Sequence, residues 1–218
     1  MTSGGEILKT IILVRHGQSE TNVAKVFTGQ LNASLTPIGL EQAERMARYV
    51  AQYPVEKVYA SSLHRAVETA APICRMFNCP METSNDLREI LAGAWEGISF
   101  EEIAERYPDE YAIWRQDFGK ARPNGGESCK ELYQRVVRIF RHIVENTPEK
   151  VICIVSHAIP IRMMQCYITY GSVDAADKMP WVPNASVTVY TYDGDYHLQK
   201  QGVSDFLGEM QSNLPKTI

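Results

Sequence analysis

The chain has 218 residues, of which 44% are hydrophobic and 22% charged, enough apolar material to bury a sizeable core as a single domain over residues 1–218. A formal net charge of -4, with no run of Lys or Arg, argues against nucleic acid and anionic membrane as partners. An anionic small molecule would have to be met by a local basic pocket.

Cys74, Cys79, Cys129, Cys153 and Cys166 are scattered, odd in number and without a C-x-x-C pair. That pattern predicts reduced structural thiols and a cytoplasmic protein. The opening residues lack a basic start and a long apolar stretch, so secretion is not expected. Residues 1–8 and 208–218 read as loose tails, and the chain is expected to be a monomer or homodimer.

Residues 10–14 are an apolar, β-branched run halted by Arg15-His16-Gly17, as in a strand buried on both faces. Ligands sit just beyond the carboxyl ends of such strands, which makes residues 15–22 the first candidate site. Thr36-Pro37 opens a helix whose Leu40, Ala43, Met46, Ala47 and Val50 share a face, ending near Gln52. Residues 57–60 are a short strand, and Ser61-Ser62 is expected to start a helix burying Ala66, Ala70, Ile73 and Phe77.

From 86 to 100 the pattern is less regular, with Gly93 and Gly97 shaping a loop around Trp95-Glu96. A Ser99-led helix reaches Tyr107, a further helix covers 108–118, and Arg122 to Gly126 is a turn. Ser128 and Glu131 form a capping box opening an amphipathic helix with Leu132, Val136, Ile139, Phe140 and Ile143 inward. Residues 151–155 are a second long apolar strand, and Ser156-His157 leads into a helix through Tyr167. Residues 187–192 and 196–203, hinged at Asp193-Gly194, read as a hairpin. The fold class is therefore α/β: a three-layer αβα sandwich with a mostly parallel sheet and an antiparallel edge hairpin.

Three strand-to-helix junctions carry polar pairs: Arg15-His16, His64-Arg65 and Ser156-His157. Parallel strands bring them to one sheet edge, where clustered cations need an anion to offset their repulsion and helix amino ends add N–H donors. Two guanidinium forks fit a phosphate better than a carboxylate. There is no G-x-x-x-x-G-K-[ST] or H-E-x-x-H, and no metal is required, although a zinc site on His16 and His157 stays open.

These blocks resemble the histidine phosphatase superfamily, which includes the cofactor-dependent phosphoglycerate mutases. The likeness is carried by Leu13 to Asn22, Ser61 to Ala70, Leu87-Arg88-Glu89 with Gly93-Ala94-Trp95-Glu96-Gly97, and Ser156-His157-Ala158, in that order. It implies His16 as nucleophile, Arg15, Arg65 and His157 as phosphate ligands and Glu89 as proton donor. Asn22 matches a position that contacts phosphate, Thr28-Gly29 a pocket-lining loop, and Ala158 follows the second histidine. His64, Glu96, Glu20 and Glu68 read as neighbours with local roles.

The implied reaction is metal-independent hydrolysis of a small phosphorylated metabolite through phosphohistidine, with no cofactor. For Glu89, burial would raise the pKa and the arginines lower it, and the sequence leaves that balance open. A mutase sharing the pocket would need 2,3-bisphosphoglycerate as primer and a basic clamp for the substrate carboxylate. Here Glu89 is followed by Ile90-Leu91-Ala92, leaving only Arg115, Lys120 and Arg122 as remote substitutes, which resembles the phosphatase branch. An inactive phosphate-binding module is the remaining alternative.

Overall fold

The computed structural model describes residues 8–212. At its centre, β1 (Lys9–Arg15) pairs in parallel with β4 (Val151–Ser156), in a register that sets Ile12 beside Cys153 and Arg15 beside Ser156. Successive side chains along these strands enter opposite cores. Ile11, Leu13, Ile152 and Ile154 pack on one face, Ile12, Val14, Cys153 and Val155 on the other. Burial on both faces is why these strands read as continuous apolar runs.

Outward from β4 lie β2 (Lys57–Ser61) and β3 (Met81–Ser84), both parallel; outward from β1 lie antiparallel β5 (Val187–Tyr192) and β6 (Tyr196–Val203). The six-stranded order is β3-β2-β4-β1-β5-β6, so the expected sandwich with its antiparallel edge hairpin is present. Beyond Arg15 comes the short α1 (Glu20–Ala24). α2 (Pro37–Val50) and α3 (His64–Phe77) cover one face of the sheet. α6 (Cys129–Asn146) and α7 (Ala158–Tyr170) cover the other, with α4 (Phe100–Arg106) and α5 (Pro108–Gln116) beside them.

Several local expectations are corrected. The helix after β2 starts at His64 with Leu63 as its cap, because Ser61 completes the strand and Ser62 donates its Oγ to Asn85. β3 was not expected: its sequence Met-Glu-Thr-Ser is half exposed at the sheet edge and carries no apolar alternation. α7 continues to Tyr170, where Gly171 takes the left-handed conformation that ends it. Residues 208–212 are held rather than loose. Met210 accepts from Gln42 Nε2, and Ser212 Oγ accepts from the Asn184 amide. The rest of the expected tails, apart from Leu8, lies outside the described residues. Among the described residues no helix is long and apolar enough to cross a membrane, and the five cysteines are free.

Candidate active site

The parallel strands deliver Arg15, Ser61 and Ser156 to one edge of the sheet, and the adjoining turns supply His16, Arg65 and His157. A cavity of about 900 Å³ opens there, lined among others by Arg15, His16, Asn22, Thr28, Gly29, Arg65, Glu89 and Ala158. Eight of the nine expected site residues thus converge on one space. His157 does not reach its wall. That ring is fully buried behind His16, centroids 5.1 Å apart, with Nε2 paired to Ser61 Oγ at 2.7 Å and Nδ1 without a partner.

The main chain of His16 is clamped. Its amide donates to Ser156 O at 2.9 Å, and its carbonyl accepts from the Ala185 amide and Asn184 Nδ2, both at 3.1 Å. Within the side chain, Nδ1 lies 2.7 Å from Gly17 O. A carbonyl accepts only, so Nδ1 carries the proton and Nε2, with no hydrogen bond, keeps its lone pair. Burial, then the charges of Arg65 and Arg15, hold the imidazole pKa well below its usual range, so the ring is neutral.

Both guanidinium groups are buried with an unpartnered Nε. Arg15 donates through Nη1 to Val182 O at 2.7 Å, and Arg65 to Leu31 O and Gly29 O at 2.7 and 2.9 Å. Burial lowers each pKa to about 10, a shift opposed by Glu89, and both stay cationic at neutral pH. Unsatisfied buried N–H groups on a cationic pair call for an anionic acceptor. Asn22 is prepared in the same way. Its Oδ1 accepts from Ser19 N, Ser19 Oγ and Asn184 Nδ2, which leaves the amide donors available.

Glu89 is 8% exposed, its Oε1 accepting from the Ile90 amide at 2.9 Å and its Oε2 from the Ile159 amide at 3.4 Å. The balance that the sequence left open falls to burial, which raises the carboxyl pKa against those amides and both arginines. Glu96 acts locally, as expected. Its Oε1 accepts from the Gln30 and Ala92 amides and so fastens the Thr28-Gly29 loop to the segment carrying Glu89.

Sequence reasoning missed Ser61, Asn184, Trp114, Trp181 and Arg135. Of these only Asn184 had a local cue, a lone polar residue between a proline and an apolar strand. The mutase clamp does not assemble: Lys120 pairs with Asp117, Arg122 with Glu131, and neither they nor Arg115 line the cavity. Among the described residues, no cluster of three or more His, Cys, Asp or Glu side chains is placed to hold a metal ion.

A histidine-bearing turn at the end of the central strand, beside two buried arginines and a buried carboxyl group, fits a phosphoryl-transfer enzyme of the α/β class. Residues 11–201 match the histidine phosphatase superfamily (branch 1), and the chain belongs to that family. It is 31% identical over 156 residues to phosphoserine phosphatase 1 of Hydrogenobacter thermophilus, covering 72% of this chain and 74% of that one. Among solved structures, Bacillus stearothermophilus YhfR superposes with a TM-score of 0.85 at 26% identity, over 91% of this chain and 99% of that one. A mycobacterial glucosyl-3-phosphoglycerate phosphatase in complex with VO3 superposes with a TM-score of 0.82 at 26% identity, over 90% of this chain and all of the other.

Proposed function

We propose that this phosphatase hydrolyses a small phosphorylated metabolite through a phosphohistidine on His16, without a metal ion. The observation that carries the reading is the Nδ1 contact to Gly17, which leaves a neutral Nε2 lone pair beside two buried cations. The nucleophile is thereby activated by tautomer and by suppressed protonation, with no further base needed.

In the first step His16 Nε2 attacks phosphorus and the bond to the ester oxygen breaks. Glu89, protonated at rest, passes its proton to the departing alkoxide. Arg15, Arg65 and Asn22 hold the equatorial oxygens, joined by the amide end of α7 at Ala158. In the second step water attacks phosphorus, Glu89 takes the water proton, and the P–N bond breaks to release phosphate and neutral His16. His157 backs the His16 ring and keeps its orientation through Ser61. Metal independence rests on the two fixed guanidinium charges, which supply the charge stabilisation a divalent ion would otherwise provide. The names phosphoserine phosphatase and glucosyl-3-phosphoglycerate phosphatase among its relatives support a phosphomonoester as substrate.

The test is rapid acid-free quenching during turnover of a phosphomonoester panel. An alkali-stable, acid-labile phosphoryl adduct is expected on the peptide containing His16, absent in His16→Ala, with rates unchanged by chelator. An adduct that persists in His16→Ala, or activity lost to chelator and restored by zinc, overturns the proposal.

A further inference from the structure

Above the phosphate pocket the cavity has an aromatic wall: Phe27, Phe100, Tyr111, Trp114 and Trp181 line it. The rings are packed on one another, Phe27 at 5.6 Å from Phe100 and 5.3 Å from Trp114. Trp114 lies 4.7 Å from Phe118, which lies 5.7 Å from Trp181. The series ends on a buried cation. Arg162 sits over Phe118 at 4.8 Å and over Trp181 at 4.3 Å, donates Nε to Met179 O at 3.0 Å, and forms no salt bridge among the described residues.

Trp181 is half-buried and adjoins Val182, whose carbonyl accepts from Arg15. The segment that anchors a phosphate-side arginine therefore also carries a ring of the wall, and Arg162 fixes that ring by its face.

Size and polarity then select the leaving group. A cavity of about 900 Å³ suits a ligand far larger than a three-carbon alcohol with its phosphate. Lys25, exposed at the end of α1, is the cation on its wall besides Arg15 and Arg65. A charged, hydrophilic alcohol set against indole and phenyl rings would lose water without gaining partners. A flat ring would stack on them.

We propose that this space is a subsite for an aromatic leaving group, a phosphomonoester of a primary alcohol carrying a flat ring on a short arm. Trp181 sets the preference and Arg162 is its positioning residue. The inference rests on the phosphomonoesterase reading above and adds its substrate class.

The experiment compares 2-phenylethyl phosphate with glycerol 3-phosphate, both esters of primary alcohols, so that the chemical demand on Glu89 is closely matched. Wild type should favour the aromatic ester by about tenfold or more in kcat/KM. Trp181→Ala should abolish most of that preference through KM while changing the glycerol phosphate rate less than about threefold. Trp181→Phe should retain it. Arg162→Met should move the preference in the same direction as Trp181→Ala, and Arg162→Lys should restore part of it. Equal rates on both esters in wild type, or a preference untouched by Trp181→Ala, overturns the subsite while leaving the hydrolase reading intact. Absence of hydrolysis of any phosphomonoester overturns both.

Discussion

Arg135, on α6, donates Nη2 to the main-chain carbonyl of Glu89 at 2.9 Å. Its Nη1 donates to Asp86 O and Arg88 O, also at 2.9 Å, and Glu127 pairs with it at 2.5 Å in a half-enclosed site. One guanidinium thus fixes three carbonyls of the turn that presents the proposed acid, a task its planar fork performs and an ammonium cannot.

The first prediction concerns that turn. Arg135→Lys should slow alkyl phosphates by about tenfold or more while slowing a p-nitrophenyl ester much less, since a phenolate needs little protonation to leave. Paired kcat measurements on the two ester types check it. Equal losses would assign Arg135 to stability alone, and thermal unfolding would show it.

The pH profile follows from two opposed shifts. The folded-state pKa of Glu89 is raised, so its acid form persists above the usual carboxylate range and the rate on alkyl phosphates falls as pH rises through that folded value. The His16 pKa is depressed, so the proposed nucleophile stays neutral well below pH 6.5 and the acid limb is expected there. A profile displaced to acid pH is expected, with its alkaline limb missing for Glu89→Gln acting on the phenyl ester. Stability follows the linked signs. Buried neutral His16 and His157 lose stability as pH drops below their unfolded value near 6.5, whereas the contribution of Glu89, present at low pH, is lost as pH rises through its raised pKa. Melting curves of His157→Gln should therefore change less between pH 7 and 5 than those of wild type.

Gly29 supplies the third prediction. It holds φ at +50°, and a Cβ there would stand 2.3 Å from Glu96 Oε1, an oxygen already committed to two amides. Gly29→Ala should cost about 1–3 kcal/mol and, by disturbing the carbonyl that Arg65 grips, raise KM for phosphate esters. Chemical denaturation and inorganic phosphate inhibition measure the two effects.

What was legible in the sequence has a physical pattern. β1 and β4 announce themselves because burial on both faces leaves no room for polar residues until the site begins at Arg15-His16 and Ser156-His157. Arg65 was legible because it opens the helix after β2, and Glu89 because its Leu87-Arg88-Glu89 block resembles one of the family's. Ser61 reads in sequence as the start of a helix because its role toward His157 depends on a partner 96 residues away, and Arg135 carries no local signal because its acceptors there are carbonyls, which every residue has. The aromatic wall escaped notice because Trp114 and Trp181 reach one cavity from separate segments, and apolar rings in sequence read as core. The raised pKa of Glu89 needed the burial itself.

The last prediction separates hydrolysis from mutase chemistry. A mutase must hold its substrate carboxylate and exclude water while the intermediate reorients, which calls for a basic cover over the phosphohistidine. Here the cavity beyond the phosphate pocket is lined largely by aromatic rings, Lys120 and Arg122 are engaged with Asp117 and Glu131, and Lys25 alone is a free cation on that lining, among the described residues. Water should therefore reach the phosphoenzyme before a second alcohol does. Purified protein supplied with 3-phosphoglycerate and 2,3-bisphosphoglycerate as primer should release inorganic phosphate, or react little, and form no appreciable 2-phosphoglycerate. Adding Lys25→Ala sharpens the test: loss of that cation should leave the ratio of phosphate to isomer unchanged, because no clamp was present to lose. Isomer formed faster than the best phosphate release, and abolished by Lys25→Ala, would establish Lys25 as the carboxylate clamp and the chain as a mutase.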